Sequence, residues 1–481
     1  MTISTPRPAA PEAAPAATDA PAARILAEAV ARMRWADLAE PVRMRTRELL
    51  LDHLAVTAGG SDVASSRAAR SFVAATSSTG AATVIGGGFS TAAAWAALAN
   101  GTSSHALELD DVTRRSALHP GAPVIPAALA VGEEVGAGAA DVLDAIVAGY
   151  EVVMRAGAAL NGASAYRRGF HPTGVAGVFG ATVAAGRLIG LDADGLTRAM
   201  GIAGGMASGS LEYLADGSWT KRLTPGWAAH GGVVAAGLAR AGYVGPASAL
   251  DGKLGFLHAY SDDPDPSLLT RDLGSEPMLM QVALKPYGCC RWIHGLIDCA
   301  FALAAEHRFS AADVKAIDLG VLSSGSLLIA EPIERKRHPK SVVEAQFSAP
   351  FGVAVALVRG KAGASQFSAA NMADPDIRWL MERTSCYRDP ALDAGFPDRI
   401  PSEVRIRLRD GRELKATVDF PKGEPEHWLT RDELVDRFVE LAGPLVGADV
   451  ASSLAEGVLA LDAGSDLAPI MRALSGTRDT A

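Results

Sequence analysis

The densest collection of reactive side chains is HALELDDVTRRSALHPG, where His105, Glu108, Asp110, Asp111, Arg114, Arg115 and His119 crowd together directly behind the apolar segment AAAWAALANG. Carboxylates beyond the C-terminal end of a helix face the negative end of its macrodipole, so they are disfavoured there unless another interaction wants them. Imidazole beside carboxylate suits proton transfer. The same residues also fit a solvated turn in which Asp110 and Asp111 bond nearby backbone amides. A second stretch, GFHPTGVAGVFGATVAAG, repeats a feature of LHPGAPVIPAALAVGEE: a histidine, a proline, then a run of small residues at helical length. Proline suits the first turn of a helix, which places His119 and His171 at helix starts, near free N–H groups and a partial positive charge. Such a setting binds carboxylates and favours neutral imidazole. A neutral imidazole accepts a proton at neutral pH and returns it once charged. A capping or core histidine is the alternative at each position.

Three cations accompany them. Lys221 lies in DGSWTKRLTPGWAAHGG, flanked by Trp219 and Trp227, while Lys285 and Arg291 bracket the KPYGCCR segment. These groups could clamp the carboxylates of a small anionic substrate; the alternative is an exposed loop lysine. Cys289, Cys290, Cys299 and Cys386 form no C-x-x-C pair, so the spacing indicates neither a zinc site nor an iron–sulfur cluster. VIGGGFS lacks the G-x-G-x-x-G spacing and the P-loop lysine, and ASGS at 207–210 is no nucleophile elbow. The expectation is a site without metal or cofactor.

Around these residues the chain reads as mainly α. ARILAEAVARMRW and VRMRTRELLLDHLAVTAGG have helical periodicity, and the second stops at paired glycines. AADVLDAIVAGYEVVMRAGAAL, VFGATVAAGRLIGL and WAAHGGVVAAGLARAG are small-residue segments without a charged face, as expected of helices buried among helices. After SDDPDPSLLTRDLGSEP, near residue 270, the pattern alternates. A helix around 295–307 leads to a strand-like VKAIDLGVL, a helix in SVVEAQFSAPFGVAVALVRG, and a hairpin in EVRIRLRDGRELKATVDF about Asp410-Gly411. Helices return from Thr430. The expected architecture is an all-helical domain formed by 23–270 and 424–481, an inserted α+β lid domain at 271–423, and a disordered Ala/Pro-rich tail at 1–22.

Composition narrows the partners. Lys plus Arg number 45 against 54 Asp plus Glu, a formal charge of -9, so no global basic field serves nucleic acid. No window approaches the roughly 18 to 20 uninterrupted apolar residues of a membrane span. Four cysteines in 481 residues make no disulfide scaffold, which fits a reducing cytoplasm.

The motifs NGTSSHALELDDV, HPGAPVIPAALAVGE, GYEVVMRAG, GFHPTGVAGVFGATVAAGRLIGL, KRLTPGWAAHGGVVAAGLARAG and LDGKLGF, in this order, resemble the MmgE/PrpD superfamily from about Ala23 to Ser475. The resemblance implies a homodimer with a helical domain and an α+β lid, acting on small polycarboxylates without metal or organic cofactor. It implies dehydration of 2-methylcitrate, epimerisation of iminodisuccinate or decarboxylation of cis-aconitate as the range of activities. It places Asp110, His119, His171, Lys221 and Lys285 in the interdomain cleft, and Asp111 aligns as well. Val112 stands where the decarboxylase branch carries Thr, Glu108 where it carries Asp, and the loop to His119 is one residue longer. Near Ala349 the branch's Tyr is missing. HPGAP also departs from the HPSD-like form of the dehydratases. The expected function is a 2-methylcitrate dehydratase-like lyase, with the epimerase next, then the decarboxylase, then a noncatalytic anion-binding paralogue. His119 with Asp110 would transfer the proton, with His171 as partner acid/base or carboxylate donor. Lys221 and Lys285 would hold carboxylates, and His105, Asp111 and Arg291 would add substrate contacts. Activity should therefore survive exhaustive chelation and aerobic purification; loss on chelation, reversed by iron or zinc, would contradict this reading.

Overall fold

The computed structural model describes residues 20–76 and 78–476. Most of the tail expected at 1–22 lies outside them, and the first helix starts at Ala22. The described residues are 61% helical, with only small sheets among them. Among the described residues no helix is long and apolar enough to cross a membrane.

Small residues decide how the central helices meet. Helices Ala93–Ser104, Gly121–Val135, Ala139–Leu160, Pro172–Leu188 and Thr220–Arg240 pack on one another with Ala, Gly and Val at their contacts. Where Ala93–Ser104 crosses Thr220–Arg240 the backbones touch. A Cβ on Gly101 would lie 2.7 Å from Gly226 Cα, and one on Gly226 would lie 2.4 Å from Leu98 O. This approach brings Lys221, at the start of one helix, close to His105, which ends the other.

Three hydrophobic cores form among the described residues, the smallest around Val73, Val84 and Leu98. The first joins Leu26, Leu50, Leu54, Tyr150 and Phe179 to Leu434, Phe438 and Leu474 near the C-terminal end. The second gathers Ile293, Ile297, Ile317, Phe351, Val404 and Ile406. The latter lies against a four-stranded sheet of order β4-β3-β5-β6, with β3 Val314–Val321, β4 Thr384–Arg388, β5 Ser402–Leu408 and β6 Glu413–Val418. β3 pairs parallel with β4 and antiparallel with β5; β5 and β6 form the hairpin expected from Asp410-Gly411, with Gly411 at φ 93°. The glycine run VIGGGFS turns a short hairpin between β1 Ala82–Val84 and β2 Phe89–Thr91.

One expected helix is interrupted. SVVEAQFSAPFGVAVALVRG forms Val342–Gln346 and Ala349–Arg359 with a break between them. Ser348 is extended there, its hydroxyl accepts from Phe351 N, and Pro350 occupies the first turn of the second helix. A hydroxyl cap followed by proline is a start signal, and it overrides the apolar periodicity.

Overpacking a filled contact costs about 1–3 kcal/mol. Gly226→Ala should lower stability by about this amount in urea unfolding, whereas Gly457→Ala, where an added Cβ meets nothing within 4 Å, should not.

Candidate active site

The segment after Ala93–Ser104 folds back on itself so that its acidic residues point in different directions. Asp111 turns to the start of the next helix. Its carboxylate accepts from Gly121 N at 3.0 and 3.2 Å and from the Tyr150 hydroxyl at 2.7 Å. Asp111 thus caps helix Gly121–Val135, in keeping with the backbone-amide alternative and not with the substrate contact expected of it, and it does not line the cavity described below. Neither His119 nor His171 caps its own helix, although both stand at helix starts.

Hydrogen-bond partners assign the imidazole tautomers. His119 Nδ1 lies 2.8 Å from Asp111 O, and a carbonyl oxygen only accepts, so Nδ1 carries the proton. His171 Nδ1 lies 2.8 Å from Thr224 Oγ1, whose own proton goes to Lys221 O, so this Nδ1 also donates. His105 Nδ1 donates to Asp110 Oδ2 at 2.6 Å, and the same oxygen is 3.1 Å from His119 Nδ1. Each ring is left with an unprotonated Nε2. Those of His105 and His171 are buried without a protein partner, and His119 lines the cavity. The His105 ring centroid is 4.8 Å from that of His119 and 5.8 Å from that of His171.

Beside the imidazoles lies a buried charge cluster. The Lys221 ammonium contacts the Glu108 carboxylate, and Lys285 Nζ lies 3.4 Å from both Glu108 Oε2 and Asp110 Oδ1 and 3.1 Å from Glu108 O. Burial alone would raise the Glu108 carboxyl, yet Lys221 and Lys285 hold it well below the usual range. For Asp110, too, burial raises, but His105, Lys285 and His119 together hold the carboxyl low. Burial opposes charge on Lys285, and Asp110 and Glu108 more than offset it, so its ammonium is stabilised. Burial pushes His119 down to about 4 despite Asp110, lowers His105 despite the same carboxylate, and lowers His171 further, with Lys221 and the other imidazoles adding to the effect. Asp111 rises to about 7, chiefly by burial.

The cavity against this cluster is lined by Thr113, Tyr166, Tyr213, Cys290, Trp292, Leu328, Phe347 and Ile400. Lys221, Lys285, Glu108 and His119 supply its charged and titratable groups, with Arg114 and Arg291 at the wall. Arg291 is fully engaged: two of its nitrogens bond Glu424 Oε1 at 3.0 and 2.5 Å, and the third meets His294 and Lys422 O. Arg291, expected as a substrate contact, gives its charge to the buried Glu424. Glu108 was visible in the cluster but not selected, and nothing in the sequence singles out Tyr166 or Tyr213.

His105, Asp110 and His119 are the one trio among the described residues whose potential ligand atoms lie within 4.8 Å of one another. His105 Nδ1 already donates to Asp110 Oδ2 and His119 Nδ1 to Asp111 O, and the Lys285 ammonium stands by the other Asp110 oxygen, where a cation would be repelled. The trio is therefore suited to hydrogen-bonded proton transfer.

Residues 24–269 match the MmgE/PrpD N-terminal domain and residues 287–463 the MmgE/PrpD C-terminal domain. The protein belongs to the MmgE/PrpD family. Similar curated proteins include a cis-aconitate decarboxylase-like protein of Aspergillus oryzae, 28% identical over 93% of this chain and 96% of its own. The cis-aconitate decarboxylase of Aspergillus terreus is 28% identical over 91% and 93%, and that of Mus musculus 27% over 79% and 78%.

Two outcomes follow from the site electrostatics. Between pH 4 and 6.5 the unfolded chain protonates His119 while the folded chain does not, so this group makes stability rise with pH across that window. The raised Asp111 acts with opposite sign between about 4 and 7. His119→Asn should therefore flatten the acid-side rise relative to wild type in urea unfolding at stepped pH, and Asp111→Asn should steepen it. Glu108→Ala, which leaves two buried ammonium groups short of a counter-charge, should lose about 3–5 kcal/mol, more than Glu108→Gln.

Proposed function

We propose that this protein is a lyase that transfers a proton at a carbon next to a carboxylate of a small polycarboxylate, using its own side chains as acid and base. The observation that carries the reading is His119: its Nδ1 proton is committed to Asp111 O, so a bare Nε2 faces a cavity that also holds two lysine ammonium groups. Substrate carboxylates near Lys221 and Lys285 would bring negative charge beside the imidazole and raise its proton affinity from the low value of the buried free site. His119 Nε2 then takes the proton, and the lysines stabilise the enolate-like charge that develops on the carboxylate.

In dehydration the C–H electron pair becomes the new C=C bond, and the C–O bond breaks as a protonated imidazole gives the hydroxyl its proton, releasing water. That reaction needs two proton carriers. His119 Nε2 at the cavity would be the base, and His171, which must first take up a proton as the substrate's carboxylates arrive, would be the acid; on this reading a hydroxy-tricarboxylate of the 2-methylcitrate type is the first substrate to test. Decarboxylation, in which CO2 leaves and one imidazolium protonates the carbon left behind, is the second reading; the names of the curated relatives favour it.

Purified protein incubated with 2-methylcitrate, citrate, cis-aconitate and iminodisuccinate, followed by proton NMR and CO2 release, separates dehydration, decarboxylation and epimerisation. Inertness toward all four would reject the proposal. With the active substrate, His119→Ala and His171→Ala should each lower kcat by about 10²-fold or more; near-normal turnover in both would return these histidines to a structural role.

We also propose that the protein works as a homodimer. Trp219, at the cap of helix Thr220–Arg240, and Leu223 and Trp227 on it are 49%, 41% and 45% exposed and adjoin Phe72 at 53%. A contiguous apolar strip of this kind suits contact with a second copy. Wild type should scatter light as a dimer and Trp227→Glu as a monomer.

A further inference from the structure

Glu108 has φ 56°, in the left-handed region that a residue with a Cβ seldom occupies. Such a conformation persists only when its surroundings over-determine it. Two side chains outside the cavity wall do this. Gln346 Nε2 donates to Leu107 O at 3.1 Å, the carbonyl before Glu108, and Arg437 Nη2 donates to Leu109 O at 2.6 Å, the carbonyl after it. The same two groups reach the segment that carries the second lysine. Gln346 Nε2 also donates to Gly288 O at 3.2 Å, and Arg437 Nη1 donates to Lys285 O. Each thus joins one active segment to the other, and together they bracket Glu108 on one segment and the Lys285–Gly288 stretch on the other.

Both groups are themselves anchored. Arg437, on helix Arg431–Val446, places Nε 2.9 Å from Asp52 Oδ1 on helix Glu40–Gly60. Gln346 ends the short helix created by the break before Ser348, and its own carbonyl accepts from Cys290 N at 2.9 Å. The segments also pair directly, Val112 N to Ala283 O at 2.9 Å and Ala283 N to Val112 O at 2.8 Å. That pairing alone leaves the backbone at Glu108 free to relax to negative φ, which would swing its carboxylate from between Lys221 and Lys285.

We propose that Arg437 and Gln346 are positioning residues, two staples that hold the left-handed turn at Glu108 and thereby set the spacing of Glu108, Asp110 and Lys285. A guanidinium meets this demand because its rigid fork donates to two carbonyls while its charge pairs with the Asp52 carboxylate. A lysine has one nitrogen and cannot span them. The amide of Gln346 offers two protons from one nitrogen, one for each carbonyl.

The test uses the full-length protein and two readouts. In Arg437→Lys and in Gln346→Glu, hydrogen exchange at Val112, Ala283 and Gly288, whose amides are bonded within or beside the two segments, should speed up by about tenfold or more while helix Pro172–Leu188 keeps its protection. Turnover should fall by about 10²-fold with KM changed only a few-fold, as expected when reacting groups are displaced rather than removed. Arg437→Met leaves Asp52 unpaired, so Asp52→Asn/Arg437→Met is the control: it should regain thermal stability without regaining turnover. Unchanged exchange in both single variants overturns the proposal, and so does recovery of wild-type turnover in the double variant, which would make Arg437 only a counter-charge for Asp52. The turnover arm rests on the lyase reading; the exchange arm does not. Wild type inert toward every polycarboxylate would therefore refute that reading while exchange still decides the staples.

Discussion

Two ammonium groups and two carboxylates share a space that water barely reaches, and the remainder of the site follows from keeping them there. Removing an ion from water costs several kcal/mol even after relaxation. Lys285 is wholly buried, and Glu108, Asp110 and Lys221 are nearly so. Each must touch opposite charge, which dictates where residues 107–111 and 284–288 can run. The left-handed turn at Glu108, the pairing of Val112 with Ala283 and the helix crossing at Gly101 and Gly226 are three solutions to that one demand. Because the four charges balance among themselves, the three imidazoles beside them can stay neutral.

The balance also shapes how a substrate would enter. A carboxylate arriving at Lys221 and Lys285 finds Glu108 already there, so it must share ammonium protons with that side chain or displace it. Each lysine carries three donors, and sharing is geometrically open. Arg114 and Arg291 are less available, since Glu424, 1% exposed, takes a bond from each. Charge selectivity in this cavity therefore resides mainly in two lysines, and the apolar part of its lining, Trp292, Leu328, Phe347 and Ile400, would receive the carbon skeleton.

Much of this was legible in residue types and local spacing. The His-Pro-small-residue repeat gives the two helix starts at Gly121 and Pro172, and the alternation around Asp410-Gly411 gives the β5–β6 hairpin, because both signals are local. The interruption between Gln346 and Ala349 was readable from Ser348 and Pro350, yet the apolar run on either side masked it. The use of Asp111 as a cap depends on Tyr150 arriving from another helix, and that of Arg291 on Glu424, far along the chain. Arg437 escaped notice for the same reason. In RDELVDRFVELAG it is one charged residue on an amphipathic helix, and only the tertiary fold puts Asp52, Leu109 O and Lys285 O within its reach.

The Asp110 oxygen shared by His105 and His119 has a consequence for how the site is read kinetically. Two imidazoles that address one carboxylate oxygen cannot gain protons independently, because charge on the first weakens the hold of the carboxylate on the second. Their titration belongs to the cluster, in steps whose apparent midpoints are macroscopic constants. A bell-shaped rate profile from this protein would consequently report the proton inventory of His105, Asp110 and His119 as a unit, and replacing either histidine would move both limbs.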